Sequence, residues 1–599
     1  MTTRKLSQFP GAASITSTDL IYMSQNGIEV AATPAQLAAG IAQNAAREVF
    51  NAGPNFTAGT TTNLTLSGTY GSINNILVLC DATVQTDCTL SGQTLTFNPT
   101  IPLGTQQVVV LGWPSRSIGV PANTSVGDAQ VAWTGILARC VDSIAQLRQL
   151  SKLLYNRAFA MGYYVPADKG GGAYVLVSTS SLGYTDNGGT TIVANDGGVW
   201  QLQHTTLISA GQFGAKGDGT TNDTTALQSA LNNVKTLYLP QGTYKITAAL
   251  NVPAGVLIVG EGIAATTIIQ YTLTAGGLIF NASGQNGGGV FGITLTSNAP
   301  AYNARGSSGV GIMVNQSNQG FTIRDVCISN FDYGLEMNNC FSELVENLII
   351  QYFGSRGIFI PEGAGYTSND GRYIGIKIHN INNAWGDQSS IGVLIQLSGG
   401  HFFTNIDVIS TGYGLILQPP SDGPTIAYAQ FVECLFDTPY SHAVLIDGTY
   451  GTISAIEFNG CWAAYSTAGD GVHVMGSGTN GITWQGGRIR ENGFNGVNLV
   501  GGLNVQFNGA QISQNSKAAT NTYDGVAVQS GVSNWQVLNC QIGNFASGLS
   551  TKQRYGVNVQ TGSSNNYAVV SNGFVQNQSG GLVDNGTGTN KTVSPNLTY

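Results

Sequence analysis

A glycine followed by alternating apolar residues recurs through the second half of the chain, at Gly311, Gly334, Gly357, Gly392, Gly414, Gly471, Gly496, Gly525, Gly556 and Gly581, with Ala443 in one slot. Successive copies lie 22 to 35 residues apart. A period of this size marks a unit too small to bury its own apolar face, so the copies must stack. A second strand pattern precedes these glycines, and its later copies align without gaps: FVECLFDTP from Phe431, FNGCWAAYS from Phe458, WQGGRIREN from Trp484, FNGAQISQN from Phe507 and VLNCQIGNF from Val537. Strand residues alternate faces, which fixes the register. Cys434, Cys461, Gly487, Ala510 and Cys540 read as one inward column, and Phe436, Ala463, Ile489, Ile512 and Ile542 as the next. A thiol inside such a stack is a small hydrophobe rather than a nucleophile.

The surface of such a stack repeats the same outward position in every coil, where like charges would repel. Charged residues make up only 9% of the chain, against roughly 25% in average soluble proteins, and Asn, Gln, Ser and Thr carry most of the polarity. The formal charge of −8 and the lack of any basic run exclude nucleic acid as a partner. No stretch approaches the ~20 apolar residues of a membrane span, and MTTRKLSQFP lacks a secretory signal, so a soluble, non-exported protein is expected. The eight cysteines show no CxxC or other metal-ligand spacing, which predicts free thiols in a reducing cytoplasm. No metal and no cofactor are expected.

Before the repeats the chain changes character several times. Residues 1–48 open with KLSQFPGAASITSTDLIYMSQNG and close on TPAQLAAGIAQNAAREVF, where Thr33 and Pro34 suit a helix start. This segment resembles the short attachment piece at the front of phage tail fibres and spikes, which docks on other tail or baseplate proteins; a disordered tail is the alternative. Residues 49–121 alternate in short runs (NLTLSG, ILVLC, TLTFN, QVVVLGW) and predict a small antiparallel β module. Over residues 134–160 the spacing of Ile136, Leu137, Val141, Ile144, Leu147, Leu150, Leu153 and Leu154 predicts a helix, either a three-fold neck or one packed on its own domain. It falls within a 122–205 segment whose GYYVPADKGGGAYVL and DNGGTTIVANDGGVWQL resemble the head module of phage tailspikes. Gly170, Gly171 and Gly172 are followed by no Lys-Ser/Thr, so a turn is expected there rather than a phosphate loop.

Residues 213–262 read FGAKGDGTTNDTTALQSALNNVKTLYLPQGTYKITAALNVPAGVLIVGEG. GDGTTND supplies a turn and an Asx-type cap, TTALQSAL a short helix, and LYLPQGTYKI a first rung. This stretch resembles the entry segment of the pectate-lyase-like superfamily, shared by polygalacturonases, rhamnogalacturonases and many phage tailspikes. The resemblance implies an all-β chain, with residues 206–599 forming a right-handed parallel β-helix and no separate C-terminal domain. The helix would cap the stack and hide its open edge, making Asp218 and Asp223 structural. It also implies a bacteriophage tailspike, a homotrimer on the virion tail made in the host cytoplasm, acting on a bacterial surface polysaccharide such as capsule or O-antigen.

Carrying the register upstream through IGIKIHN and NIDVIST puts Lys377, Asp407, Leu435, Trp462, Arg488, Gln511 and Gln541 in one outward column, with His379, Ile409, Asp437, Ala464, Arg490, Ser513 and Gly543 beside it. Rungs ~4.8 Å apart and same-face residues ~6.7 Å apart place Asp407 and Asp437 about 8 Å from each other. That separation suits an inverting glycosidase, in which one carboxylic acid protonates the leaving oxygen and one carboxylate activates water. Asp407 and Asp437, with Glu433 in addition, are the candidate catalytic residues. Trp462 offers a flat face to a sugar ring; Arg488 and Arg490 suit carboxylates of an acidic polymer; Glu491, Lys377 and His379 complete an elongated groove of candidate substrate-binding residues. Three alternatives stay open. A polysaccharide lyase would use a base such as Lys377, His379, His473 or a Tyr and a cation for the enolate. A receptor-binding spike would use the same strip without catalysis. A pectinase on the same fold is disfavoured by the missing signal and by the modules that precede the helix. A site shared between subunits would escape this alignment.

Overall fold

The computed structural model describes residues 21–25, 28–32, 46–112, 138–204, 207–284, 286–299, 308–362, 368–380, 388–420, 423, 425–545 and 553–599. Thr33, Pro34, Ile136 and Leu137 lie outside these residues. The chain divides into two compact units, Met1–Val131 and Ala132–Tyr599. The first holds an antiparallel pair, Ile21–Gln25 with Ile28–Ala32, a four-stranded antiparallel sheet and a three-stranded one. Its core gathers Phe56, Leu66, Tyr70, Leu95, Ile101 and Val110.

The second unit begins with a five-stranded sheet over Ala138–Gln203. The long helix expected over 134–160 is not formed among the described residues. Ala138–Val141 is a strand, Ile144–Leu147 a single helical turn capped by Ser143, and Arg157–Ala160 a strand pairing parallel with the first. The apolar spacing is therefore divided: Val141, Ile144, Leu147 and Leu150 face the core, while Leu153 is 84% exposed. A 3.6-residue period and a strand-turn-strand both bury the first four of these positions, and parallel pairing requires the chain to double back.

From Ile208 onward the chain coils. A 13-stranded parallel sheet runs from Leu250–Pro253 to Gly580–Gly586, and a 27-stranded ladder from Ile208–Ser209 to Leu597–Thr598. At one corner of each coil a residue turns the ladder from one wall into the next by adopting a left-handed conformation. Gly292, Asp325, Asn347, Gly375, Asn405, Glu433, Gly460, Gly486, Gly509, Asn539 and Ser571 form this column, with φ between 51° and 69°. Glycine, Asn and Asp tolerate that conformation best; Glu433 is its one long side chain.

The inward columns read from the sequence are present. Cys434, Cys461, Ala510 and Cys540 are buried, as are Phe436, Ala463, Ile489, Ile512 and Ile542. One wall also stacks rings: Tyr373, Phe403, Phe431, Phe458 and Trp484 follow one another with centroids 4.8 to 4.9 Å apart. That is the spacing of the strands themselves, so backbone pairing and ring stacking are satisfied together. The recurring glycines have a packing cause. A Cβ on Gly311, Gly334, Gly357, Gly392, Gly414, Gly471, Gly496, Gly525 or Gly556 would lie 2.4 to 2.8 Å from the carbonyl oxygen of the next coil.

At the start of the stack Thr224–Asn233 is helical, burying Leu227, Ala230 and Leu231. Its cap differs from the expected one. Asp223 stands at the cap position but its carboxylate accepts the N–H groups of Lys216 and Gly217, and Asn222 takes the Thr224 N–H instead. Asp218 accepts the N–H groups and hydroxyls of Thr220 and Thr221. Both aspartates organise the entry turn.

Candidate functional site

The pairing of successive short strands assembles one wall. Lys377 pairs with Asp407, Asp407 with Leu435, Leu435 with Trp462, Trp462 with Arg488 and Arg488 with Gln511; beside them His379, Ile409, Asp437, Ala464, Arg490 and Ser513 follow in order. The two columns match the sequence register position for position. Ala464 and Ser513 are buried, however, so the second column is not an open strip along its length. The elongated face is the column from Lys377 to Arg488.

Asp407 and Asp437 sit diagonally on this wall, one coil and two residues apart, about 8 Å by strand geometry. Both are half-buried, and Oδ1 of each is inaccessible and without a hydrogen-bond partner. Burial pushes both carboxyls up, because a charge half out of water is disfavoured. Their surroundings then separate them. The Lys377 ammonium, one coil away, pulls Asp407 back down. Asp437 is opposed by the carboxylates of Asp407 and Glu491, against a Thr438 N–H and Arg490 that favour its charge. Thr438, the residue that follows, is left-handed at φ 50°, a corner conformation that Ser410, Tyr465, Glu491 and Gln514 share on the neighbouring coils.

The remaining residues are more engaged than their sequence positions suggest. The Arg488 guanidinium lies over the Trp462 ring, 4.6 Å from its centroid, so one face of the indole is already covered. Arg490 pairs with Glu491, leaving its own Nε buried and unpartnered. Glu491 also accepts the Tyr465 hydroxyl at 2.8 Å and lies 3.7 Å from the Lys517 ammonium, which in turn sits over the Tyr465 ring. Tyr465 and Lys517 thus belong to this corner and were missed: Tyr465 lies in the aligned copy FNGCWAAYS but one place past the two outward columns, and Lys517 lies beyond its own aligned copy. Lys377 is exposed. His379 is half-buried with Nδ1 unpartnered, and burial, then Lys377, pushes its pKa down. Glu433 stands exposed at the left-handed bend between the walls, and its carboxylate makes no hydrogen bond or ion pair among the described residues.

A second polar group lies on the 13-stranded sheet, where His442, Asp470 and His473 converge. Counting from the recurring glycine would have aligned them. Asp470 directly precedes Gly471, His442 precedes Ala443 in the coil before, and His473 follows two residues after Gly471.

Residues 140–205 match the family model of the phage tail protein small four-stranded β-sheet domain, and residues 207–390 that of the rhamnogalacturonase A/epimerase, pectate lyase-like family. The chain therefore carries a phage tail domain followed by a pectate lyase-like domain. Asp407 and Asp437 lie beyond the matched stretch. Among curated relatives, the chain is 32% identical over 129 residues to the Mu-like prophage FluMu defective tail fiber protein of Haemophilus influenzae, covering 21% of this chain and 20% of that one. It is 42% identical over 64 residues to a glucan 1,3-beta-glucosidase of Cochliobolus carbonum, covering 10% of this chain and 8% of the glucosidase. The chain thus spans a fifth or less of the length of these relatives. Among solved structures, tailspike protein 2 of bacteriophage CBA120 is 15% identical with TM-score 0.41, over 75% of this chain and 58% of that one. Tailspike gp49 of the Acinetobacter baumannii bacteriophage Fri1, described as a capsular polysaccharide depolymerase, is 14% identical with TM-score 0.43, over 75% and 76%. The A-module of the mannuronan C-5 epimerase AlgE4 of Azotobacter vinelandii is 18% identical with TM-score 0.43, over 65% and 100%.

Proposed function

We propose that this phage tail protein is a tailspike that binds a bacterial surface polysaccharide, capsule or O-antigen, and cleaves it by hydrolysis at the Asp407–Asp437 wall. The observation that carries the reading is the pair of half-buried carboxyls, each with an unpartnered buried oxygen and each pushed towards its protonated form. Asp437, facing two carboxylates, is the general acid; Asp407, beside Lys377, keeps its charge and activates water on the opposite face of the sugar. Glu433 is the third carboxylate of the site. Trp462 with Arg488 forms the sugar platform, and Lys377, His379, Arg490 and Glu491 bind along it.

The rest of the assembly follows the same proposal. Residues 1–48 attach to other tail or baseplate proteins, residues 49–121 form a small β module and 122–205 the head module, and 206–599 forms the β-helix of a homotrimer on the virion tail, made in the host cytoplasm, with no membrane or nucleic-acid partner and no metal in the proposed hydrolysis. The match of residues 140–205 to a phage tail domain supports this order. Incubating the purified chain with host polysaccharide and sizing the polymer tests the reading. Shortened chains with new reducing ends support hydrolysis, ultraviolet-absorbing unsaturated ends would instead mean a lyase, and unshortened but retained polymer a binding spike. A lyase reading is favoured only by His379, whose unpartnered Nδ1 and lowered pKa suit a base. Solution mass of the full chain and of a form lacking residues 1–205 tests the trimer.

A further inference from the structure

The outer face of the 13-stranded sheet carries a group that the proposed hydrolysis does not use. His442 and His473 stand on successive coils with ring centroids 4.4 Å apart, and Asp470 lies against both. One ligand atom from each of the three residues falls within 4.8 Å of the others. The contacts are unequal: His473 Nδ1 is 2.7 Å from Asp470 Oδ2, a hydrogen bond, while His442 Nδ1 is 3.7 Å from the same oxygen and unbonded to it.

We propose that His442, Asp470 and His473 form a divalent transition-metal site of the zinc type, with its fourth position open to solvent. Three features support it. First, the donor set is right: two imidazoles and one carboxylate are ordinary zinc ligands, and three protein ligands with a free position characterise sites that go on to bind water or an anionic group. Second, the distances are close. Bonds of about 2.0 Å at a tetrahedral angle put ligand atoms about 3.3 Å apart, so the His473 contact opens and the His442 contact closes, each by roughly half an ångström, and the two imidazole nitrogens, within 4.8 Å of each other, draw together to the same spacing.

Third, the outer partners are in place. Asp470 is 3% exposed. Its Oδ1 accepts the Asn495 N–H and side-chain amide, both at 2.9 Å, and its Oδ2 accepts the Asn498 amide at 3.0 Å. The next coil therefore holds the carboxylate in one orientation, as partners behind a metal ligand do. The Asp470 N–H donates to His442 Nδ1 at 3.1 Å, so that nitrogen carries no proton, and an ion bound there would displace this N–H from its lone pair. On binding, the ion takes the place of the proton between His473 and Asp470; that proton leaves to solvent, and His473 binds through Nδ1 as the Nε2–H tautomer. The histidine side chains are 20% and 15% exposed, which leaves an approach from solvent.

The test uses the full-length chain, stripped with a chelator and dialysed against zinc chloride. One zinc per chain is expected, with His442→Asn and His473→Asn each weakening retention at least about 100-fold, since each removes a ligand from a three-ligand site. Asn occupies the position equivalent to His473 one coil on, at Asn498, so His473→Asn should leave the metal-free melting transition unchanged. Zinc retention at background, or folded variants that bind like the unaltered chain, would overturn the proposal. Cobalt(II) titrated into the unaltered chain gives a second readout independent of any variant: intense visible bands of a four-coordinate ion are expected, and the weak bands of the hydrated ion would overturn it.

Discussion

Glu433 occupies a backbone position that ten of the eleven coils compared fill with Gly, Asn, Asp or Ser. A left-handed conformation costs an L-residue roughly 1 to 2 kcal/mol relative to glycine, and glycine returns about 0.4 to 1 kcal/mol of that through the freer unfolded chain. The Glu433 carboxylate makes no hydrogen bond or ion pair among the described residues, so its removal forfeits no contact. Glu433→Gly should therefore stabilise each chain by about 0.5 to 1 kcal/mol. If the strain is kept because the carboxylate works on polysaccharide, the same change should slow cleavage. Denaturant melts of the isolated chain measure the first quantity, and polymer sizing against time the second. Asn405→Glu, one coil below in the same column, is the reverse experiment and should cost about 1 kcal/mol. A less stable Glu433→Gly variant would refute the strain argument, and a more stable variant with unchanged cleavage would refute the role of Glu433 in the site.

Asp407→Asn and Asp437→Asn should each lower the cleavage rate by roughly 10² to 10⁴ while leaving the fold intact. Their stability has a sign that can be checked. Both carboxyls are raised in the folded chain, so their contribution is fully present below the unfolded carboxylate range near 3.9 and is lost as pH rises through the folded value. The Asn variants should therefore gain on the unaltered protein as pH rises and lose that advantage in acid; melts that show the opposite trend would contradict the burial argument. Arg488→Ala should uncover the Trp462 face at a cost of about 0.5 to 1 kcal/mol in stability, and Trp462→Ala should weaken polymer binding in a retention assay. Gly414→Ala should be among the costliest small substitutions, about 1 to 3 kcal/mol, because its Cβ would meet the Ala443 carbonyl oxygen at 2.4 Å and Phe436 Cβ at 3.0 Å; an unchanged melt would show that the stack gives way.

The sequence and the structure agree where one periodicity admits one reading, and part where it admits two. Gapless strands fix inside and outside by alternation, so the partners of Asp407, Asp437 and Trp462 could be assigned by counting. The glycine column was visible too, but its cause was not: only the neighbouring coil shows that a carbonyl oxygen takes the space a Cβ would need. Residues 134–160 failed because an apolar spacing of three and four serves a helix and also a strand, one helical turn and a returning strand. The corner connections were the other blind spot. Their lengths vary from coil to coil, so Lys517 on one side, and His442 with Asp470 on the other, had no shared frame until the glycines were used to count backwards from the sheet. Arg488 over Trp462 shows the limit of counting, since register gives neighbouring positions and not whether a long side chain lies across its neighbour or extends into water. What the column does fix is which groups must answer to one another: a carboxyl at 437 is read electrostatically by 407 a coil away and by 491 across the corner, and it is on that pairing, more than on either carboxyl alone, that the proposed division into acid and base rests.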